Sequence, residues 1–347
     1  MPQLESLFVQ VLLLAREMKL MKLGRIALDG TKVKANASRH SALSHGHIEK
    51  LETQLKTEVE ELLVLAEQAD QSSLPDGVDL PAEIQRREDR LTAMAEAKAK
   101  IEARAKARFE REQAEYQGKL AARDAKQKKT GKKPGGRPPK PPAAGPKAKD
   151  PINLTDEASR IMPVSGGGFE QSYNAQAAVD TDSMLVVVPA VTQDYNDKQQ
   201  VEPILKQLDR LPESLGNADT LLADTGYYSA RNVEACEQAG IDPHIAVKRE
   251  HHHTPPLERF TEPATLDEDA TPVERMAHKL RTQAGRTAYA LRKQTVEPVF
   301  GIIKSVLGFR QFSLRGLKGV TGEWALVCLA WNLKRMAVLC PKSPHWN

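Results

Sequence analysis

Apolar positions divide the chain into segments of different period. Phe8 to Ala15 is a short apolar run flanked by Glu5 and Arg16, and it predicts an amphipathic helix. Gly24-Arg-Ile-Ala-Leu-Asp29-Gly-Thr follows, a brief apolar stretch bounded by glycines that predicts a strand ending on an aspartate. From His47 to about Lys128 the period is helical. Ile48, Leu55, Val59, Leu62, Ala66 and Ala69 form one stripe, and Ile84, Leu91, Met94, Ile101 and Ala105 a second. Between them, Asp70 to Pro81 is rich in Ser, Pro, Asp and Gly and predicts a turn. Two stripes around a turn predict an antiparallel helical hairpin with coiled-coil-like packing.

Gln127 to Pro151 has no apolar period, and its prolines and glycines predict a disordered segment. Beyond Ile152, strand-like and helix-like patterns alternate. Ser172–Val179 and Met184–Val191 predict a hairpin across Asp180 to Ser183. Lys198 to Leu211 predicts a helix, Leu221-Leu-Ala-Asp224 a buried strand ending on an aspartate, and Ala230 to Ala239 a helix closed by Gly240. His244 to Lys248 predicts a further strand, and a polar loop from about Arg249 to Thr271 leads into a helix carrying Tyr289 to Leu307. An apolar helix from about Gly322 to Leu339 completes the pattern. Paired strands mixed with helices predict a mixed α/β sheet flanked by helices.

Composition narrows the class. With 347 residues, 40% hydrophobic, 5% aromatic and 28% charged, the chain predicts a modest core plus long solvated helices. No apolar run reaches the ~18 residues of a membrane span; the longest, Trp324 to Leu339, is interrupted by Asn332, Lys334 and Arg335. Phe8 to Ala15 lacks a basic flank and a cleavage site, which argues against a signal peptide. Cys236, Cys328 and Cys340 form neither a disulfide framework nor a zinc motif, so a soluble protein of the reducing cytoplasm is expected.

The net charge of +4 conceals an asymmetry. Lys98 to Lys149 carries 17 Lys and Arg against 5 Asp and Glu, a local +12, leaving −8 for the remainder. Such a segment suits contact with phosphates, and it also suits a solvated helix and tail.

Two predicted strands end in a carboxylate followed by Gly and Thr, at Leu28-Asp29-Gly30-Thr31 and Ala223-Asp224-Thr225-Gly226. A third acid, Glu297, lies on the late helix, with Lys293 four residues before it and Lys304 seven after, on one face. Three carboxylates suit two Mg²⁺ or Mn²⁺ ions and phosphodiester chemistry, and lysines on the same face suit a phosphate. The bland alternatives are turn-capping aspartates and a surface ion pair between Glu297 and Lys293.

These residues carry a resemblance to the DDE transposases of bacterial insertion sequences, a family with a ribonuclease-H-like catalytic core. Ile-Ala-Leu-Asp29-Gly-Thr-Lys-Val-Lys-Ala-Asn-Ala-Ser resembles the family's first-Asp strand. Asn153-Leu-Thr-Asp-Glu-Ala-Ser-Arg-Ile-Met and Tyr173-Asn-Ala-Gln-Ala-Ala-Val-Asp resemble its second block, and Leu-Ala-Asp224-Thr-Gly-Tyr-Tyr-Ser its second-Asp strand. Tyr289, Arg292, Glu297 and Lys304 resemble the Tyr-x2-Arg-x3-Glu-x6-Lys signature. Four residues separate Arg292 from Glu297 where the family has three, so both Arg292 and Lys293 are candidates for the basic position.

The resemblance implies a ribonuclease-H-like mixed sheet flanked by helices, interrupted by a long helical-hairpin insertion and a disordered basic linker. The expected division is 1–38 for the N-terminal helix and first catalytic strand, 39–126 for the hairpin, 127–151 for the linker and 152–340 for the rest of the core. It implies catalytic and metal-ligating roles for Asp29, Asp224 and Glu297, with two Mg²⁺ or Mn²⁺ ions. Phosphate contacts are expected from Tyr289, Arg292 or Lys293, and Lys304, and DNA contacts also from Lys132, Lys133, Arg137 and Lys140. The implied activity is metal-dependent cleavage and strand transfer at element ends by a homo-oligomer on double-stranded DNA, nucleoid-associated and off the membrane. Full-length relatives that the chain resembles carry an N-terminal end-binding domain, so the resemblance leads to the expectation of an N-terminally shortened copy; the alternative is an inactive DNA-binding or regulatory relic. Pro298, directly after Glu297, predicts that the helix starts or kinks there.

Other signals point to less. Gly135-Gly-Arg-Pro-Pro-Lys140 resembles an AT-hook core, with a nonspecific basic linker as the plainer reading. His251-His-His253 with His244 reads as a solvated tract. His40, His45 and His47 show no ligand partner, Trp324 and Trp331 suit packing of the last helix, and Gly166-Gly-Gly168 suits a turn.

Overall fold

The computed structural model describes residues 2–69, 79–132, 135–164, 166–248, 261–266 and 269–340. They form two compact units, 1–37 together with 158–347, and 38–157.

The first unit is built on one mixed sheet. Its strands are β1 (Arg25–Lys34), β4 (Arg160–Pro163), β5 (Phe169–Asp180), β6 (Val186–Thr192), β7 (Thr220–Ala223) and β8 (Asp242–Ile245). Strand β1 runs antiparallel to β5 and parallel to β7, which is parallel to β8. The edge of β5 away from β1 is shared by β4 and β6, both antiparallel to it. The order β6-β5-β1-β7-β8, antiparallel on one side of β1 and parallel on the other, is the mixed sheet expected of a ribonuclease-H-like core. The two central strands are apolar over long stretches, with Ile26, Ala27 and Leu28 of β1 and Ala175 to Val179 of β5 buried, as strands covered on both faces require.

Helices flank this sheet: α1 (Pro2–Glu17), α4 (Val201–Leu208), α5 (Ala230–Gln238), α6 (Pro272–Arg281), α7 (Gln283–Ser305) and α8 (Gly316–Leu339). Helix α1 buries Phe8, Val11, Leu12 and Ala15, one stripe of helical period, and packs on α8. Trp324 and Trp331 of α8 are buried, and their indole N–H groups donate to the carbonyls of Gln176 and Met184. Asn332, fully buried, pairs with both backbone groups of Val186 at 2.8 Å. The last helix is thereby tied to strand β6 by bonds that compete with no water. None of the described helices is long and apolar enough to cross a membrane.

Several boundaries differ from expectation. Strand β1 does not end at Asp29; it continues through Gly30 and Thr31 to Lys34, because β5 pairs with it as far as Lys34↔Ser172. Helix α7 does not start at Pro298 either. It runs from Gln283 to Ser305 with Pro298 inside. An interior proline costs about 3 kcal/mol, and burial of Val296, Val299, Phe300 and Ile303 around it, at about 2 kcal/mol each, outweighs that. Gly166, Gly167 and Gly168 all have positive φ in the turn joining β4 to β5, a run of left-handed backbone that glycine alone adopts cheaply.

The second unit contains α2 (His45–Ala69), α3 (Leu80–Thr130) and the two-stranded pair β2 (Ala42–Ser44) with β3 (Pro151–Asn153). Arg87 meets Glu58 and Lys98 meets Glu52, so α2 and α3 pair antiparallel. Ile48, Met94, Ala97, Ile101 and Ile152 form its small core; Ile48, Met94 and Ile101 lie on the stripes that the periodicity marks, and Ala97 and Ile152 do not. Helix α3 extends to Thr130, past the hairpin boundary expected at 126, and none of its described residues beyond Ala105 is buried. The described residues from 131 to 150 form neither helix nor strand. Arg108 clasps Asp150 with two guanidinium nitrogens, at 3.0 and 2.9 Å, and returns the chain to α3.

Candidate functional site

Strand pairing sets the site. The parallel register of β1 and β7 runs to Leu28↔Ala223, so Asp29 and Asp224 occupy the next position on the two chains. There β7 ends. Asp224 caps a short turn, its Oδ1 accepting from the Gly226 N–H at 2.8 Å. Asp29 stays within β1, its Oδ1 accepting from the Gly30 N–H at 2.8 Å.

Helix α7 brings the third acid. Glu297 is half-exposed, and its Oε1 accepts from one terminal nitrogen of Arg292 at 3.1 Å, while the other donates to Asp29 Oδ2 at 3.1 Å. A single buried guanidinium therefore bridges the two acids, and it sits over the Tyr289 ring, 5.9 Å from the centroid. Lys293 points elsewhere and is exposed. Of the two bases that the spacing left open, Arg292 is the one among the acids, because it shares a buried stripe with Thr295, Val296 and Val299.

Lys304, seven residues beyond Glu297, lies against β1. Its Nζ donates to Thr31 Oγ1 at 2.5 Å and to the Lys32 carbonyl at 2.9 Å. Burial lowers its pKa, and the neighbouring charges of Arg310 and Lys32 lower it further. Three cations thus gather beside the strand that carries Asp29.

Sequence reasoning missed a polar group at the floor of the site. Asn174 and Gln176 of β5 both donate to Asp197 Oδ1, each at 2.6 Å, and Tyr227 donates to Gln176 Oε1 at 2.5 Å. Lys32 Nζ is 3.9 Å from the same Asp197 oxygen. A Cβ at position 30 would lie 2.2 Å from Gln176 Nε2 and 2.6 Å from Asp197 Oδ1, so Gly30 is required by the close approach of this group. The signal available was Asn174 and Gln176 at strand period, polar within an alanine-rich strand; Asp197 lies in a loop and has none.

Electrostatics make Asp29 the odd member. Burial raises its pKa to about 6, the Gly30 N–H and Arg292 offset part of that, and Asp224 and Asp197 add to it. The donor set of Asp29 and Asp224 fits a hard divalent cation, since Mg²⁺ is commonly held by one or two carboxylates with water and phosphate oxygens completing its shell. Among the described residues no three His, Cys, Asp or Glu side chains come together in a way that could hold a metal ion; Glu297 is engaged by Arg292 instead.

The expected DNA-contacting residues Lys132, Arg137 and Lys140 lie in the second unit and are exposed, and Lys133 lies outside the described residues. The tract His251 to His253 and Trp346 also lie outside them.

Fold and site together define a ribonuclease-H-like α/β protein with an acidic centre on adjacent strands, at Asp29 within β1 and Asp224 just past the end of β7. Residues 142–333 match the family described as Transposase DDE domain; that span is more than half of the chain, and the chain belongs to this family. Asp224, Arg292, Glu297 and Lys304 fall within the match, and Asp29 lies before it. Among solved structures, the catalytic core domain of BIV integrase is similar over 45% of this chain and 74% of its own, with 14% identity and a TM-score of 0.24. No curated protein matches the chain.

Proposed function

We propose that this chain is a transposase that cleaves DNA strands at the ends of an insertion sequence and joins them to a target, through Asp29, Asp224 and Glu297. The observation that carries the reading is the position of Asp29 and Asp224, each one residue past the last register pair of β1 and β7, with Arg292 linking Asp29 to Glu297.

Asp29 and Asp224 would hold Mg²⁺ or Mn²⁺, with a second ion as the family resemblance implies. Such ions activate the attacking oxygen and stabilise the leaving one. The chain's own residues do the rest. Lys304, Lys32 and Arg310 neutralise the phosphate that lies along β1, and Arg292 holds Glu297 toward Asp29. Phosphoryl transfer is limited by placement and charge, which is what this arrangement supplies. The exposed Lys132, Arg137 and Lys140, together with Lys133, add salt-sensitive contacts to DNA backbone. Action on paired element ends calls for a homo-oligomer, and DNA as substrate calls for a cytoplasmic, nucleoid-associated protein.

A second reading, a non-catalytic DNA-binding regulator, is favoured by the engagement of Glu297 with Arg292 rather than with the aspartates. Incubation of the purified chain with labelled element-end DNA and Mn²⁺ separates the two. Metal-dependent nicking lost in Asp224→Asn supports the enzyme, and retention of DNA without nicking supports the regulator.

A further inference from the structure

The loop between β6 and α4 delivers a carboxylate to this site that neither the signature spacing nor the strand pattern marks. Asp197 is fixed from one side only. Its Oδ1 receives both amide donors, from Asn174 and Gln176, and its Oδ2 lies near Gly226, two residues after Asp224: a Cβ at position 226 would lie 3.6 Å from it and 3.0 Å from Asp224 Oδ1. Gly30, next to Asp29, and Gly226, bonded to Asp224, thus let the Asp197 carboxylate approach the backbone that carries both aspartates.

A second observation comes from Asn174. This residue is fully buried, yet its Oδ1 has no hydrogen-bond partner and lies 2.8 Å from where a Gly30 Cβ would stand. An unpartnered buried oxygen is costly, and here it lies beside Gly30, on the side chain whose amide nitrogen binds the Asp197 carboxylate. Among the described residues, the cation paired with Asp197 is Lys32, at 3.9 Å, too far for a good hydrogen bond.

We propose that Asp197 is a positioning residue of this site, a further acid that raises the affinity of the Asp29–Asp224 pair for a divalent cation, with Lys32 as the side chain that opposes it. The proposal rests on the reading of Asp29 and Asp224 as the cation-holding pair. The charge acts through space, so its size depends on the low-dielectric surroundings of the buried strand ends. The amide donors of Asn174 and Gln176 keep the carboxylate in place and leave its outer oxygen directed at the pair.

The test is Mn²⁺ binding to the purified full chain without DNA, followed by the electron paramagnetic resonance signal of free Mn²⁺. Asp197→Asn is the informative variant, because its remaining oxygen still accepts from Asn174 and Gln176 while the charge is gone. The expected result is roughly tenfold weaker binding in Asp197→Asn and several-fold tighter binding in Lys32→Met. An anchor without electrostatic role would leave Mn²⁺ affinity unchanged in Asp197→Asn, and that result overturns the proposal; Lys32 also acts on Asp29, so Lys32→Met is read only beside that variant. If Asp197→Asn does not fold, Asp197→Gln decides: weaker binding supports the proposal, and unchanged binding overturns it. Asp224→Asn separates the two levels. A wild-type chain with no Mn²⁺ site removes the underlying reading and the proposal with it; a site that disappears in Asp224→Asn and persists at full affinity in Asp197→Asn removes the proposal alone.

Discussion

The guanidinium of Arg292 lies 3.1 Å from the carboxylate of Asp29, across 263 positions of sequence, and both side chains are largely withdrawn from water. One residue on a late helix therefore fixes the first acid of the site, and through its other nitrogen it fixes Glu297 as well. Lysine has the charge but not the fork that reaches two acids at once. Arg292→Lys is expected to lower strand cleavage roughly ten- to a hundredfold with the fold retained, and Arg292→Ala to lower it further. Single-turnover cleavage rates measure this; a lysine variant at wild-type rate contradicts the bridging role.

The elevated pKa of Asp29, about 6, sets a pH window. A cation competes with the proton for this carboxylate, so Mn²⁺ affinity is expected to be flat above pH 7 and to fall as pH drops through about 6. The sign for stability is opposite. A folded value above the ordinary 3.8 means that ionised Asp29 costs stability, by at most about 3 kcal/mol, in full above pH 6 and relieved as pH falls toward 3.8. Asp29→Asn should therefore be no less stable than wild type at pH 7.5, although an ion pair is lost. Urea unfolding at pH 7.5 and 5 checks this, and a large destabilisation at 7.5 contradicts it.

Asn332 gives a prediction remote from the chemistry. Its amide satisfies both backbone groups of Val186, and Ala leaves them buried and unpaired. Two lost bonds of this kind cost about 2–4 kcal/mol. Chemical denaturation should show that loss, and a change under 1 kcal/mol would mean that water replaces the amide.

Gly285 stands in the corner between α6 and α7, where Thr282 closes the first helix and caps the second. A Cβ there would meet the Lys279 carbonyl at 1.9 Å, a clash with backbone that no side chain can relieve. Gly285→Ala is expected to shift α7, which carries Arg292, Glu297 and Lys304, and to reduce cleavage along with thermal stability. Full activity in this variant would show that the corner yields without moving the helix.

Much of this was legible in the chain. Apolar stripes marked α1, the α2–α3 hairpin and the hairpin of β5 and β6, because burial on one face imposes its period on the sequence. The strand ending at Asp224 was legible as an apolar run closed by small residues. What escaped depended on partners distant in sequence. Strand β1 runs past Asp29 because β5 accompanies it, and Thr31-Lys-Val-Lys34 is too polar to announce that. Pro298 pointed to a helix start or kink, and the helix does not start there: a local preference of a few kcal/mol yields to four buried neighbours on the same helix. The buried stripe of α7 separates Arg292 from Lys293, which spacing to Glu297 alone does not do. Asp197 belongs to a loop, where no period exists to show which side chain turns inward.

The most direct measurement is cleavage and joining of labelled element-end DNA in Mg²⁺, Mn²⁺ or EDTA, with the wild-type chain beside Asp29→Asn, Asp224→Asn and Glu297→Gln. Metal-dependent products from the wild type that vanish in all three variants, with DNA retention preserved, are the predicted result. Equal products from the variants, or DNA retention with no product from folded wild-type protein, would contradict the assignment of these acids as the catalytic centre.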